Sequence, residues 1–265
     1  MAKLLYKKSY QLKSLRPTKF DELWGKKGIF TTIRVIGKKP KFILFKNHLN
    51  RINLSLKKMH IDFKIYNEHI LKLFKPDFQK INNSDNLLRI AICSKKLSLS
   101  LRARLKPYKK FIGILYPYKR SKPDIKKLYY KKIIKLLSTL NTQKEEILLT
   151  DNDLLLEGCT TNLLFINNKI IHIPKNNYYS GVTMNYLLNN SKRKIKKTNI
   201  SINSLHKYQE ILLVGSGKGV ISLSSIPQLR WRVESDLIYQ ESVEELGFFR
   251  RLIAIIWNWI KSLFN

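Results

Sequence analysis

The sequence predicts an α+β fold in two lobes, and three observations carry that expectation. A chain of 265 residues sits where one hydrophobic core gives way to two, of ~100–150 residues each. Strand patterns dominate both halves, and segregated strands with a few covering helices make an α+β architecture. Between the halves, Pro107, Pro117 and Pro123 interrupt the pattern from Tyr108 to Asp124, as at a lobe boundary. The expected division is a smaller N-terminal lobe over 1–115, a linker over 116–125 and a larger C-terminal lobe over 126–265.

Met1–Lys19 is basic, free of acidic residues and without an apolar run of signal-peptide length, and reads as an opening strand. Residues 29–36 alternate as a strand, with Ile29, Thr31, Ile33 and Val35 on one face and Phe30, Thr32, Arg34 and Ile36 on the other. Thr32 and Arg34 therefore point the same way. A Gly37-Lys38-Lys39-Pro40 turn leads into a strand over 41–45. Leu49, Ile52, Leu56 and Met59 form the stripe of an amphipathic helix opening near His48, with Arg51 on a different face. A helix over 64–75 and strands over 87–95 and 98–105 follow. In the second lobe a helix over 127–140 turns Ile133, Leu136, Leu137 and Leu140 inward. Strands are expected over 146–150, 154–156, 161–166 and 169–173. The last two meet at Asn167-Asn168, because asparagine tolerates positive φ in a tight hairpin. A helix starts after Thr183, a basic strand runs over 194–202, and an apolar strand over 210–214 ends in Gly215-Ser216-Gly217-Lys218-Gly219.

An apolar fraction of 44% is ordinary for a globular protein. The 51 Lys+Arg against 18 Asp+Glu give a formal charge of +33, which marks a nucleic-acid partner where the basic residues cluster. Here the lysines are spread over the whole length among many Ile and Asn residues, a compositional bias that leaves solvated lysine faces. The expected partner is an anionic small molecule rather than a nucleic acid. Cys93 and Cys159, the two cysteines, are far apart, which excludes a disulfide framework or a zinc site and fits the cytoplasm. Histidines 48, 60, 69, 172 and 206 show no metal-ligand spacing. From Phe248 to Phe264 apolar residues dominate around a narrow polar stripe of Arg251, Asn258, Lys261 and Asn265. The charge-free run Leu252–Ile260 is too short to span a bilayer. A helix docked on the body or on a second subunit is expected ahead of one in a membrane interface. The 215–219 loop is no Walker motif, since Leu212 and Gly219 stand where that motif requires Gly and Ser or Thr.

The residues that carry chemistry fall in a fixed order. Phe30-Thr31-Thr32-Ile33-Arg34-Val35 comes first, then His48-Leu49-Asn50-Arg51-Ile52, then Lys126 behind Pro123-Asp124-Ile125. Glu157-Gly158-Cys159-Thr160-Thr161-Asn162, Gly181-Val182-Thr183 and Gly215-Ser216 follow. Glu157 closes the apolar run Leu154-Leu155-Leu156, and a carboxylate there needs a partner or a purpose. Arg51 presents planar, paired donors suited to a phosphate. A Gly-Val-Thr turn ahead of a helix offers amides and a hydroxyl to an anion. Taken singly these are a surface arginine, an N-cap threonine and a flexible turn; the joint order is the signal.

In that order and spacing the chain resembles, from about Gly28 to about Pro227, the fold-type IV pyridoxal-phosphate enzymes. These are the branched-chain and D-amino-acid aminotransferases and aminodeoxychorismate lyase. The resemblance implies a two-lobe fold, pyridoxal 5'-phosphate as cofactor, and a homodimer with loops of one subunit near the other's site. It implies that Lys126 carries the cofactor, with Lys127 and Lys122 as neighbouring rivals, and that Glu157 keeps the pyridine nitrogen protonated. Gly158 lets the backbone pass close to the ring. Arg51, Gly181, Val182, Thr183 and Ser216, the last in place of the family's second threonine, grip the phosphate. Asn162 fixes the local turn, and Tyr129 and Tyr130, one register off the family's tyrosine, pack the helix.

The Phe30–Val35 strand is most similar to aminodeoxychorismate lyases, whereas branched-chain aminotransferases tend to carry Glu-Gly where Thr31-Thr32 stands. This implies that Thr32 assists proton transfer over the cofactor and Arg34 contributes to a basic substrate mouth. The implied reaction converts 4-amino-4-deoxychorismate to 4-aminobenzoate and pyruvate, for folate synthesis. Transamination of a branched-chain or D-amino acid is the alternative on the same fold, and a basic nucleic-acid-binding protein without catalysis is the second. Gly25-Lys26-Lys27-Gly28 stands, one residue longer, where the family has Gly-Asp-Gly.

Overall fold

The computed structural model describes residues 2–37, 39–78, 85–108, 110–235 and 238–240. The apolar tail expected as a helix over 248–264 lies outside the described residues. The chain begins with β1 (Leu4–Gln11), β2 (Pro17–Thr18), β3 (Gly28–Ile36), β4 (Lys41–Phe42), α1 (Phe45–Lys58), α2 (Asn67–Phe78), β5 (Asp85–Cys93) and β6 (Lys96–Ala103). The six strands form one antiparallel sheet in the order β2-β1-β6-β5-β3-β4. The period-two pattern holds: Ile29, Ile33 and Val35 are buried with Leu88, Ile90 and Ile92 against Leu49, Ile52 and Leu56 of α1. Thr32 and Arg34 lie on the opposite, half-open face. Helix α1 opens at Phe45, before the expected His48, from Leu44 in the left-handed region. Lys57 and Lys58 in its last turn suit the negative end of the helix dipole.

The second lobe comprises β7 (Phe111–Pro117), α3 (Lys131–Ser138), β8 (Glu145–Asp151), β9 (Leu154–Gly158), β10 (Asn162–Asn167), β11 (Ile170–Pro174), α4 (Val182–Asn190), β12 (Ile195–Thr198), β13 (Glu210–Gly215), β14 (Gly219–Ile226) and β15 (Trp231–Arg232). Its sheet runs β12-β11-β10-β13-β14-β7-β8-β9, with β15 beside β14. Two hairpins turn tightly on successive positive-φ residues, Asn152-Asp153 and Asn168-Lys169, as primed turns require. Strand β12 covers part of the basic strand expected over 194–202, which continues instead into a 3-10 turn over Ile202–Lys207.

The lobe boundary differs from the expected linker over 116–125. Residues 111–117 form β7, parallel to both β8 and β14 inside the second sheet, so the chain has left the first sheet before the expected linker begins. Prolines do not prevent this, because Pro117 is the terminal residue of β7, where a missing N–H costs no interior ladder bond. The segment after β7 returns to the first lobe. Ile125 joins the core under β3, and Leu128 packs beside Leu23 and Phe30. Phe30 N donates to Lys126 O at 3.0 Å and Leu128 N to Gly28 O at 2.8 Å. Those bonds hold 126–128 extended, so α3 starts at Lys131 rather than at 127 as the apolar spacing suggested.

Two buried ionic groups tie the lobes and turns together. Glu146 on β8 is 0% exposed, pairs with Lys218 Nζ at 2.9 Å, and accepts from the Thr160 amide at 3.1 Å and hydroxyl at 2.8 Å. From the first lobe Arg104 donates to the carbonyls of Gly217 and Lys218 while pairing with Asp85. Among the described residues no helix is long and apolar enough to cross a membrane. Removing one member of a buried pair leaves the other charge uncompensated, so Glu146→Ala should cost about 3–5 kcal/mol. Combining it with Lys218→Met should restore most of that loss. Urea midpoints at unchanged slope measure both, and a Glu146→Ala change below about 1 kcal/mol would show that water shields the pair.

Candidate active site

Glu157 stands at the inner end of β9, where the apolar run Leu155-Leu156 drives the strand into the core and carries the carboxylate with it. It is 2% exposed. Tyr179 N donates to its Oε2 at 3.2 Å. Arg120 Nε lies 2.8 Å from its Oε1, an ion pair without the angle of a hydrogen bond, so both atoms keep unused hydrogen-bonding capacity. Burial pushes the carboxyl up, against the pull of Arg120, the Tyr179 amide and Lys126. Arg120 also donates to the Tyr130 hydroxyl and, at 2.7 Å, to Cys159 O. Burial holds Tyr130 neutral, its phenol raised to about 12, and it donates in turn to Cys159 O at 3.1 Å. Gly158 is required by its neighbours, because a Cβ there would run into Thr161 Oγ1 and the Glu146 side chain.

Lys126 enters the cleft from the segment bonded to β3. Its Nζ lies 4.9 Å from the Phe30 ring centroid and 5.8 Å from that of Tyr179, and among the described residues it has no hydrogen bond or ion pair. Burial, reinforced by Arg120 and Arg89 and opposed by Glu157, brings its ammonium down to about 8. Lys127 turns elsewhere, donating to Ser121 O at 3.2 Å, and Lys122 is exposed.

A second cluster gathers anion donors. Arg51 on α1 stacks over Tyr179 at 5.3 Å and donates to Asp124 O at 3.2 Å, while its buried Nε has no partner among the described residues. Gly181 caps α4, whose first residues Val182 and Thr183 direct amides outward from the helix start. Thr183 Oγ1 and Ser216 Oγ are 3.1 Å apart, and Ser216 Oγ meets His48 Nε2 at 3.2 Å. Asn162 fixes the 179–181 turn, as the sequence suggested: its amide donates to Tyr179 O and its Oδ1 accepts from Gly181 N at 3.0 Å. A Cβ on Gly181 would strike that oxygen.

The outer wall departs from expectation. Arg34, expected at a substrate mouth, is engaged by a carboxylate instead. Asp85 takes it bidentately at 2.8 and 2.7 Å and also takes Arg104, so its charge is neutralised in a strut between β3 and β5. The cation on this face is Arg89, cross-strand from Thr32. It stacks 3.7 Å from the Trp24 ring centroid, donates to Glu22 O at 2.8 Å, and retains a buried Nε without a hydrogen bond. Trp24, Phe30 and Tyr130 pack mutually, with ring centroids 5.0 to 6.1 Å apart. Sequence reading missed Arg89, Trp24 and Arg120, and assigned Tyr130 to helix packing. The cross-strand position of Arg89 beside Thr32 was the available signal for the first; Arg120 had none, standing in a stretch read as linker.

The site has unfilled capacity at two ends, Glu157 Oε1 and Arg51 Nε. A protonated ring nitrogen suits the first and a phosphate the second, so these residues fit pyridoxal 5'-phosphate. A family model described as amino-transferase class IV matches residues 28–226. No curated protein sequence matches the chain. Among solved structures, a branched-chain aminotransferase of Thermoproteus uzoniensis has a TM-score of 0.76 at 14% identity, covering 92% of this chain and 93% of its own. A Brucella abortus aminotransferase bound to pyridoxal phosphate gives 0.73 at 15% identity over 93% and 99%. A proposed 4-amino-4-deoxychorismate lyase of Legionella pneumophila gives 0.70 at 18% identity over 84% and 91%. On the span of that family match, which takes in Thr32, Arg51, Lys126, Glu157, Thr183 and Ser216 alike, this chain belongs to the class IV aminotransferases, and pyridoxal 5'-phosphate is its cofactor.

Proposed function

We propose that the protein is a lyase that converts 4-amino-4-deoxychorismate to 4-aminobenzoate and pyruvate. The observation that carries the reading is Thr32: it lies on the half-open face of β3, cross-strand from Arg89, at a position where aminotransferases of the family tend to carry Glu-Gly. A hydroxyl there can pass a proton; a glycine cannot.

The bound cofactor supplies an electron sink for the pair left when a substrate C–H bond breaks. Lys126 Nζ would hold the cofactor and, as an amine beside the reacting carbon, would accept the proton from the carbon bearing nitrogen. Glu157, anchored by Arg120 and the Tyr179 amide, keeps a proton on the ring nitrogen. The ether C–O bond to the enolpyruvyl group then breaks, its electron pair going to oxygen, and Thr32 assists the proton delivered to that leaving group. The carbocycle becomes aromatic as the enol becomes pyruvate. Arg89 holds a substrate carboxylate, and the Trp24, Phe30 and Tyr130 rings keep water from the reacting carbon.

Transamination is a second reading, favoured by one feature: Arg89, whose buried Nε keeps a hydrogen bond to give beside an aromatic wall, also suits an amino acid with one carboxylate and an apolar side chain. Incubation of the purified protein with aminodeoxychorismate should release pyruvate in step with 4-aminobenzoate. Glutamate formation from a branched-chain or D-amino acid and 2-oxoglutarate, without pyruvate release, would overturn the lyase assignment.

Because the neutral amine is the nucleophile, capture of pyridoxal phosphate by cofactor-free protein should accelerate about tenfold per pH unit until Lys126 is deprotonated near about pH 8, then level off. Lys126→Ala should abolish the visible absorbance band of the loaded protein altogether. A flat pH profile, or a band that survives the substitution, counts against this lysine. The proposal includes a homodimer, and light scattering that finds a monomer at micromolar concentration would remove that element.

A further inference from the structure

A row of hydrogen bonds through His48 joins four elements. His48 lies on α1 one turn ahead of Arg51, is 4% exposed, and its Nδ1 meets Thr31 Oγ1 on β3 at 2.8 Å. Its Nε2 meets Ser216 Oγ in the β13–β14 turn at 3.2 Å, and Ser216 meets Thr183 Oγ1 at the start of α4 at 3.1 Å. The result is an unbroken row: Thr31, His48, Ser216, Thr183. Thr31 belongs to the apolar face of β3 and is itself buried, so its hydroxyl needs the partner His48 provides. Burial, with the nearby charge of Lys126, drives the imidazole down to about 3, which leaves one ring nitrogen as donor and the other as acceptor.

A neutral imidazole allows the row two polarities. In one, Nδ1–H donates to Thr31 and Nε2 accepts the Ser216 proton, so Ser216 has nothing left to give an anion. In the other, Thr31 donates to Nδ1 and Nε2–H donates to Ser216 Oγ. The Ser216 proton is then free for a phosphate oxygen, and the Thr183 hydroxyl beside it likewise. A phosphate accepts only, so it stabilises the second polarity and disfavours the first.

We propose that His48 is a positioning residue that sets the hydrogen-bond polarity of the phosphate cup, its Nε2–H donating to Ser216 so that the Ser216 and Thr183 hydroxyls both face the anion. This rests on the reading of Thr183 and Ser216 as cofactor-phosphate ligands. It assigns Thr31 a purpose distinct from that of Thr32: Thr31 fixes the tautomer behind the cup, while Thr32 faces the substrate side.

The test uses histidine labelled with nitrogen-15 in the full chain, first free of cofactor, then with inorganic phosphate, then with pyridoxal phosphate. The expected long-range proton–nitrogen pattern for His48 with either anion is the Nε2–H form; the Nδ1–H form would overturn the proposal. Alongside, binding of pyridoxal phosphate and of pyridoxal, which lacks the phosphate, is titrated by absorbance. His48→Leu should weaken the phosphorylated ligand about three- to tenfold, because the Ser216 hydroxyl loses the neutral hydrogen bond that orients its proton toward the anion, and leave pyridoxal within about twofold. His48→Gln, whose amide reaches the Nε2 position, should recover most of the affinity. His48→Asn, which reaches only Thr31, should behave as Leu does and serves if the leucine variant does not fold. Equal weakening of both ligands in the Leu and Asn variants overturns the proposal and leaves the cofactor reading standing. A wild-type chain that prefers neither phosphate nor pyridoxal phosphate over pyridoxal overturns that reading and the proposal together.

Discussion

A carboxylate removed from water is costly unless both of its oxygens are met, and the site is organised by that requirement at Glu157. The apolar run ahead of it commits the strand to the core, so the carboxylate cannot retreat to solvent. Arg120 supplies the compensating charge, but at an angle that leaves Oε1 without a hydrogen bond. Tyr130 and Cys159 O occupy the rest of the guanidinium. The arrangement neutralises Glu157 electrostatically while keeping one oxygen receptive, which is what a ring nitrogen that must stay protonated demands. A fully hydrogen-bonded Arg–Glu fork would be more stable in isolation and would close the site to its cofactor.

The same economy joins the lobes. Lys126 belongs by sequence to the second lobe, yet its backbone is bonded to β3 of the first, so this lysine is fixed relative to Thr32 and Phe30 rather than to the acid. The 215–219 turn is gripped from the first lobe by Arg104 and from the second by the Lys218–Glu146 pair. Glu146 in turn holds Thr160, three residues past Glu157. The two ends of the cofactor site are thereby coupled through one buried carboxylate. Asp85 completes the strut, drawing both Arg34 and Arg104 to one carboxylate.

Much of this was legible in the residues, and the failures have physical causes. The two-sided pattern of 29–36 correctly separated Thr31 from Thr32, since a half-buried strand allows only one register. Asn162 was read correctly as a turn residue because short amide side chains bond nearby backbone. The expected linker and the start of the 127–140 helix failed together. Both ignored that an extended segment can be held by another lobe's strand, and tertiary hydrogen bonds at Gly28 and Phe30 outweigh local helical preference in 126–128. The pairing of Arg34 with Asp85 was not legible because direction along a strand fixes the face but not the partner. Asp85 lies 51 positions away, and no local pattern announces such a pair.

The chain's large positive charge and the site's local positive charge act over different ranges. Exposed lysines create a field that speeds the approach of any anion, but salt screens it beyond about 8–10 Å. Inside the cleft Arg51, Arg89, Arg120 and Lys126 share a low-dielectric space with Glu157, where screening is weak and geometry decides. Their mutual repulsion shows in Lys126, whose ammonium is disfavoured by Arg120 and Arg89 beyond what burial alone imposes. An anion entering the site would relieve part of that repulsion, as the proposed phosphate at Arg51 and carboxylate at Arg89 both would. In the proposed reaction, discrimination between anions would rest on where those two guanidinium groups stand relative to Thr32 and the aromatic wall, since the screened field of the surface favours every anion alike.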